Sequence, residues 1–223
     1  MLGRPLSTRQ QGLVDHRLPG LSVPLPEAGR LKPSGLFGGC PPVWFEIGFG
    51  GAEHLIEQAR RHPRTGFIGC EPFLEGVAKA LTGIEDHCLR NVRLHPGDAR
   101  DLLEALAPES LSRAFILFPE PWPKKRHHKR RIVQPDFLRA LHSALKPGAP
   151  VRFATDVMSY ADEALAKFTA HGGFEWLAES ADDWRKPPAD HVTTRYESKR
   201  LGDCAPVFFE FRTRSTAPSL IVT

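Results

Sequence analysis

Two short stretches of this 223-residue chain combine residue types that could do chemistry together. The first is Glu46-Ile47-Gly48-Phe49-Gly50-Gly51-Ala52-Glu53, where glycines separate an apolar run from a helix-like one. Glycine there allows a tight turn and lets a ligand approach the backbone. A dinucleotide fingerprint would need glycine at position 53, where Glu53 stands. A carboxylate at a helix start also competes with pyrophosphate for the positive end of the helix dipole. The chain has no G-x-x-x-x-G-K-[ST] run either. These features disfavour NAD and P-loop nucleotides. They favour an adenosine ligand with a cationic centre and no phosphate, S-adenosylmethionine. Glu71, twenty-three residues after Gly48, is then placed to accept from both ribose hydroxyls, and Asp98 from the adenine amino group. Read singly, Glu71 and Asp98 could equally cap helices.

The second stretch is Phe118-Pro119-Glu120-Pro121-Trp122-Pro123, which runs straight into Lys124–Arg131, KKRHHKRR. Prolines on either side of Glu120 and Trp122 hold the chain extended and stiff. A fixed carboxylate beside an aromatic plane suits a flat heterocycle: the ring stacks, and the carboxylate accepts from N–H groups on its edge, as guanine offers. Six of the eight residues that follow are Lys or Arg, and setting them aside turns the formal charge of +4 into −2. One concentrated cationic patch on a mildly acidic protein points to a polyanion. A base pocket beside phosphate-binding cations is what a nucleic-acid-modifying enzyme needs. His127 and His128 make a poor metal pair, because the neighbouring cations oppose a divalent ion and no further ligands cluster with them. No metal site is expected.

These residues need elements to position them. Strand-like runs fall at Val43–Phe49, Gly66–Glu71, Val92–His95, Arg113–Phe118 and Pro150–Asp156. Between them, Ala52–Arg61, Leu74–Ile84, Ala99–Ala107 and Pro135–Leu145 carry apolar residues near helical spacing. Pro135 suits a first helical turn, and Lys146-Pro147-Gly148 a stop. The alternation predicts an α/β fold with a doubly wound, mostly parallel sheet. Phe174–Glu179 and Val207–Thr213 add late strands, expected as an antiparallel pair at the C-terminal edge. An open parallel sheet binds its ligand at the C-terminal ends of its strands. Glu46, Glu71, Asp98, Glu120 and Asp156 all fall at or just beyond such ends.

Residues 1–40, rich in Pro, Gly and Arg, read as a flexible arm; 41–214 as a single domain; 215–223 as a tail. With 41% hydrophobic and 25% charged residues the chain is neither collagen-like nor wholly disordered. No apolar run approaches the roughly 18–20 residues that span a bilayer, and no secretory h-region opens the chain. Four scattered cysteines, none in C-x-x-C spacing, suggest a reducing, cytoplasmic setting without disulfides. No obligate protein partner is evident.

Glu46–Gly50, the Glu71 strand end, Gly97-Asp98-Ala99, Phe118–Arg131, Thr155-Asp156 and Thr194-Arg195-Tyr196-Glu197 occur in the order seen in the bacterial tRNA (guanine-N7-)-methyltransferases, and the chain resembles that family from about Val43 to Thr213. The resemblance implies a Rossmann-like class I S-adenosylmethionine-dependent fold. It also implies methyl transfer to N7 of a guanosine in the tRNA variable loop, position 46. On this basis Glu46, Gly48, Gly50, Glu71, Asp98, Ala99 and Glu120 are expected at the cofactor. Glu120 is also expected to be catalytic. Lys124, Asp156, Thr194, Arg195, Tyr196 and Glu197 are expected at the substrate guanosine, and Arg126, His127, His128, Lys129, Arg130 and Arg131 on the RNA. Glu120 stands where the family usually has Asp, and Arg195-Tyr196 where Lys-Phe is common. The alternatives are a methyltransferase acting on adenine or cytosine amino groups, since Pro119–Trp122 loosely resembles their [DNS]-P-P-[YFW] motif, and a non-catalytic tRNA-binding protein. An NAD-dependent oxidoreductase is weakened by Glu53.

Overall fold

The computed structural model describes residues 5–39 and 41–215. Along the chain run α1 (Thr8–His16), α2 (Leu18–Leu21), β1 (Val43–Ile47), α3 (Glu53–Arg61), β2 (Gly66–Cys70), α4 (Leu74–Asp86), β3 (Val92–His95), α5 (Ala99–Ala105) and β4 (Arg113–Leu117). Then follow α6 (Pro135–Ala144), β5 (Pro150–Thr155), α7 (Met158–His171), β6 (Phe174–Trp176), α8 (Asp182–Arg185), α9 (Arg195–Ser198) and β7 (Val207–Thr213). The sheet order is β3-β2-β1-β4-β5-β7-β6. The first five strands are parallel, and β7 pairs antiparallel with both β5 and β6, leaving β6 outermost.

The near-continuous apolar character of β1 and β2 follows from burial on both faces. Val43, Phe45 and Ile47 join Leu102, Leu138 and Phe168 in one core, under α5, α6 and α7. Phe67 packs with Leu55 of α3 and Leu81 of α4 in a second. Because β2 and β3 lie on one side of β1 and β4 and β5 on the other, the order reverses between β1 and β4. A crevice opens there at the strands' C-terminal ends.

The expected strands stop one or two residues early at β1, β2, β4 and β5, because Gly48, Glu71, Phe118 and Asp156 already turn out of the sheet. β6 ends at Trp176 rather than Glu179, and a thirty-residue excursion carrying α8 and α9 separates it from β7. Helix α7 went unanticipated because its inward face is built largely from Tyr160, Ala161, Ala164 and Phe168, which give a weak apolar stripe. The segment expected as an arm contains α1, started by a Ser7–Gln10 capping box. Leu13, Val14, Leu18 and Leu21 lie on the second core, with Arg9 paired to Asp86 and Arg17 to Glu85. Those contacts are tertiary, so local composition did not announce them. Most of the tail expected at 215–223 lies outside the described residues. Among the described residues, no helix is long and apolar enough to cross a membrane.

Candidate active site

The first loop turns sharply out of β1. Gly48 and Gly50 take φ of +69° and +51°, values a side chain makes costly, so the glycines are there for the turn. Glu71, just beyond β2, is buried and spans this loop and the next: its Oε2 accepts from Gly50 N at 2.9 Å and its Oε1 from Phe73 N at 3.0 Å. Neither bond caps the first turn of α4, and each oxygen keeps a second lone pair. Burial pushes its carboxyl above the ordinary range, against the two backbone bonds; the nearby Glu120 charge adds to the rise. The Glu53 carboxylate folds back over Gly51, close to where a Cβ there would sit, so it covers the helix start that a pyrophosphate would need.

Asp98 caps α5, accepting from Arg100 N at 2.9 Å, and its partly exposed carboxylate also meets the Arg100 guanidinium at 3.2 Å. Ala99 opens that helix and is buried. Glu46 lies deeper than a ligand-facing residue would: it is 3% exposed, and His54 Nδ1 donates to it at 2.7 Å.

At the fourth strand exit, Phe118 and Trp122 both adopt the left-handed region, φ +49° and +44°. Bulky residues there are strained by about 1–3 kcal/mol each, a cost that collects where a loop must hold a set shape. Glu120 stands exposed between them. The Arg130 guanidinium lies 4.9 Å over the Trp122 ring and His127 meets it edge-on, so the indole is already partly covered. Lys124 is exposed and begins a 3-10 helix over Lys125–Arg130. Arg126, Lys129 and Arg130 face solvent, while His127 and His128 are half-buried.

Arg131, expected on the RNA, is the correction. It is fully buried. Its Nε donates to Pro121 O at 2.9 Å, and its terminal nitrogens to Ser159 O and Oγ at 3.1 Å and to Glu163 at 2.5 Å. The guanidinium also lies 4.6 Å over the Tyr160 ring. Arg131 thus bolts the Glu120 loop to α7 from below. Burial alone would raise the Glu163 carboxyl; the bonds from Lys167 and Arg131 overcome this and hold it below the ordinary range.

Asp156, after β5, is buried and accepts from the Tyr196 hydroxyl at 3.3 Å. Tyr196 is pushed up to about 12 by burial, then by the charge and hydrogen bond of Asp156, and further by the charge of Glu120. Thr194 and Glu197 form a capping box around α9, and both Glu197 oxygens lie 3.0 Å from His191 Nε2. Arg195 is exposed. A cavity of about 740 Å³ opens here, lined by Asp156, Thr193, Glu197, Arg200, Gly202 and Pro206. A Cβ on Gly202 would meet Asp156 O at 2.0 Å, so only glycine lets this loop close on Asp156. The structure therefore gathers Glu71, Glu120, Tyr196 and Asp156 at one end of the sheet. Sequence reasoning missed His54, whose partners Glu46 and Gln58 lie close in the chain but meet it only once β1 and α3 pack. It also missed Gly202 and Asp190, whose partners are distant in the chain, and Phe73, 61% exposed beside Glu71. For Phe73 the signal was present, as a large apolar residue two positions after a strand-end carboxylate.

A reversing parallel sheet with acidic strand exits and an antiparallel β7 defines the class I methyltransferase fold. Two solved structures share it. One is the precorrin-6y C5,15-methyltransferase of Geobacter metallireducens GS-15 (TM-score 0.54, 18% identity, 96% of this chain and 93% of that one). The other is a mutant of the 16S rRNA (adenine(1408)-N(1))-methyltransferase from Catenulisporales acidiphilia with cosubstrate SAM (TM-score 0.51, 16% identity, 79% and 88%). The model of a family described as putative methyltransferase matches residues 41–208. The tRNA (guanine-N(7)-)-methyltransferase of Hyphomonas neptunium is 60% identical over 212 residues, 95% of this chain and 96% of that protein. The chain belongs to the tRNA (guanine-N7-)-methyltransferase family.

Proposed function

We propose that the protein transfers a methyl group from S-adenosylmethionine to N7 of a tRNA guanosine, the one at position 46 of the variable loop. The observation that carries this reading is the place of Glu120: it follows β4, which lies in the sheet between β1, whose exit loop Glu71 holds, and β5, whose exit carries Asp156 bonded to Tyr196. One carboxylate thus stands between a site for an adenosyl ligand and a site for a base. S-adenosylmethionine supplies an electrophilic methyl group on a sulfonium. The residues present fit it: the glycine turn allows close approach, Glu71 offers spare lone pairs to ribose hydroxyls, Asp98 accepts from the adenine amine, and the exposed Phe73 offers an apolar face to the ring. Glu46 acts from behind the loop, and Gly48, Gly50 and Ala99 shape the wall.

Guanine N7 carries an exposed lone pair, so no residue need remove a proton to make it nucleophilic. Methylation shifts positive charge onto the purine. Glu120 stabilises that developing charge, and Asp156 with Tyr196 and Glu197 orients the base edge. Lys124, Thr194 and Arg195 complete the substrate side. Much of the remaining rate comes from holding two reactants in line. Arg126, His127, Lys129 and Arg130 contact phosphates, whereas His128 turns inward, its Nδ1 3.5 Å from Glu163 and its Nε2 buried. The catalytic residues lie within 41–214, on which the preceding α1 and α2 pack, and the protein works in the cytoplasm.

Labelled S-adenosylmethionine and unmodified tRNA, incubated with the protein and followed by nucleoside analysis, test this. Label in 7-methylguanosine, lost when guanosine 46 is replaced, is the expected result. Label in an adenine or cytosine derivative would transfer the site to amino methylation, and tRNA binding without label would leave only a binding protein.

A further inference from the structure

Between α8 and α9 the chain runs from Lys186 to Thr194 without helix or strand. Left to itself, such a strap would be mobile. It is instead pinned at Asp190, whose carboxylate accepts from Arg152 at 2.6 Å and from Arg113 at 3.0 Å. Those two guanidiniums lie on the sheet, 5.7 and 4.6 Å from the Phe115 ring, and Arg152 also pairs with Glu210. Burial would raise the Asp190 carboxyl; Arg152 and then Arg113 overcome this and hold it below the ordinary range. The backbone carbonyl of Asp190 accepts from Gln58 Nε2 at 2.8 Å.

The Gln58 amide also reaches His54 Nε2 at 3.3 Å, and His54 Nδ1 donates to Glu46. A carboxylate only accepts, so this chain sets the His54 tautomer, with the proton on Nδ1 and the Nε2 lone pair facing Gln58. A buried polar line therefore runs from the exit of β1, through α3, to the strap. Beyond Asp190 the strap continues into His191, held by Glu197, and then into Thr194–Glu197.

We infer that Asp190 is a positioning residue: tied to Arg113, Arg152 and Gln58, it fixes where Thr194–Glu197 stand relative to Glu46 and the first loop. The inference rests on the reading that Thr194–Glu197 contact the substrate guanosine. Asp190→Asn keeps the shape and the backbone bond but leaves Arg113 and Arg152 facing each other with one carboxylate fewer. Its test has two readouts, hydrogen exchange along the full chain and steady-state kinetics with tRNA.

The expected result is faster exchange in residues 186–198 with β4 and β5 unchanged, and a KM for tRNA raised about tenfold while that for S-adenosylmethionine stays within about twofold. Unchanged exchange in the strap, or two KM values moving together, would overturn the inference. Should Asp190→Asn fail to fold, Gln58→Leu serves instead. It removes only the amide, whose Oε1 has no partner, and a selective rise of about threefold in the tRNA KM supports the tether while no change refutes it. Wild-type protein that methylates no tRNA would count against the proposed reaction, and strap exchange would still decide the tether.

Discussion

Arg131 and Lys129 sit two residues apart in the same cationic run, yet they should fail in opposite ways. Arg131→Met removes four hydrogen bonds and leaves Pro121 O and Ser159 O without that donor. Breaking a buried ion pair from one side costs about 3–5 kcal/mol. Glu163 keeps Lys167 at 2.5 Å, which favours the lower end of that range. For a chain of this size about 3 kcal/mol lowers Tm by roughly 6–12 °C, a large share of a typical 5–15 kcal/mol stability. Lys129→Met, at an exposed site, should leave Tm unchanged and weaken tRNA binding instead. The assay pairs thermal unfolding by circular dichroism with tRNA affinity measured across a salt series. Lys129→Met is expected to reduce the log–log salt slope by about 0.7–0.9, the loss of one phosphate contact, and Arg131→Met to leave the slope alone. Wild-type Tm with a reduced slope in Arg131→Met would place that guanidinium on the RNA and refute the clamp.

Glu120→Gln should lower the methyl-transfer rate by about 100- to 1,000-fold with S-adenosylmethionine affinity nearly unchanged, because the charge counts as positive charge develops on the base; single-turnover kinetics beside calorimetry would show it, and a proportional loss of binding would argue against it. Glu71 is held above its ordinary value of 4.5 by burial, and a ligand that donates hydroxyls favours its ionised form. S-adenosylmethionine affinity should therefore fall as pH drops through that raised value, so a titration series whose midpoint lies at or below 4.5 would contradict the assignment. Gly202→Ala forces the loop off Asp156, since its Cβ would lie 2.0 Å from Asp156 O. The expected outcome is a raised KM for tRNA with Tm lowered by a few degrees, and wild-type kinetics would show that the loop's closure does not matter.

What local sequence settled is the part governed by local rules. Apolar runs alternating with helical spacing dictate a doubly wound sheet, and glycines at 48 and 50 mark a turn that other residues resist. Prolines around Glu120 announce a stiff loop. Carboxylates at strand exits then follow from topology, because parallel strands all end on one side. Tertiary structure decided which way each side chain of the cationic run points. The 3-10 helix over Lys125–Arg130 ends with Arg131 turned inward, onto Ser159 and Glu163, 28 and 32 residues along the chain. No pattern in KKRHHKRR distinguishes that arginine from its neighbours, since a buried guanidinium is acceptable only once distant acceptors surround it. The same holds for α1 and α2, whose Leu13, Val14, Leu18 and Leu21 find their core against α4 and β3, and for Asp190, which looks like one more loop carboxylate until Arg113, Arg152 and Gln58 converge on it.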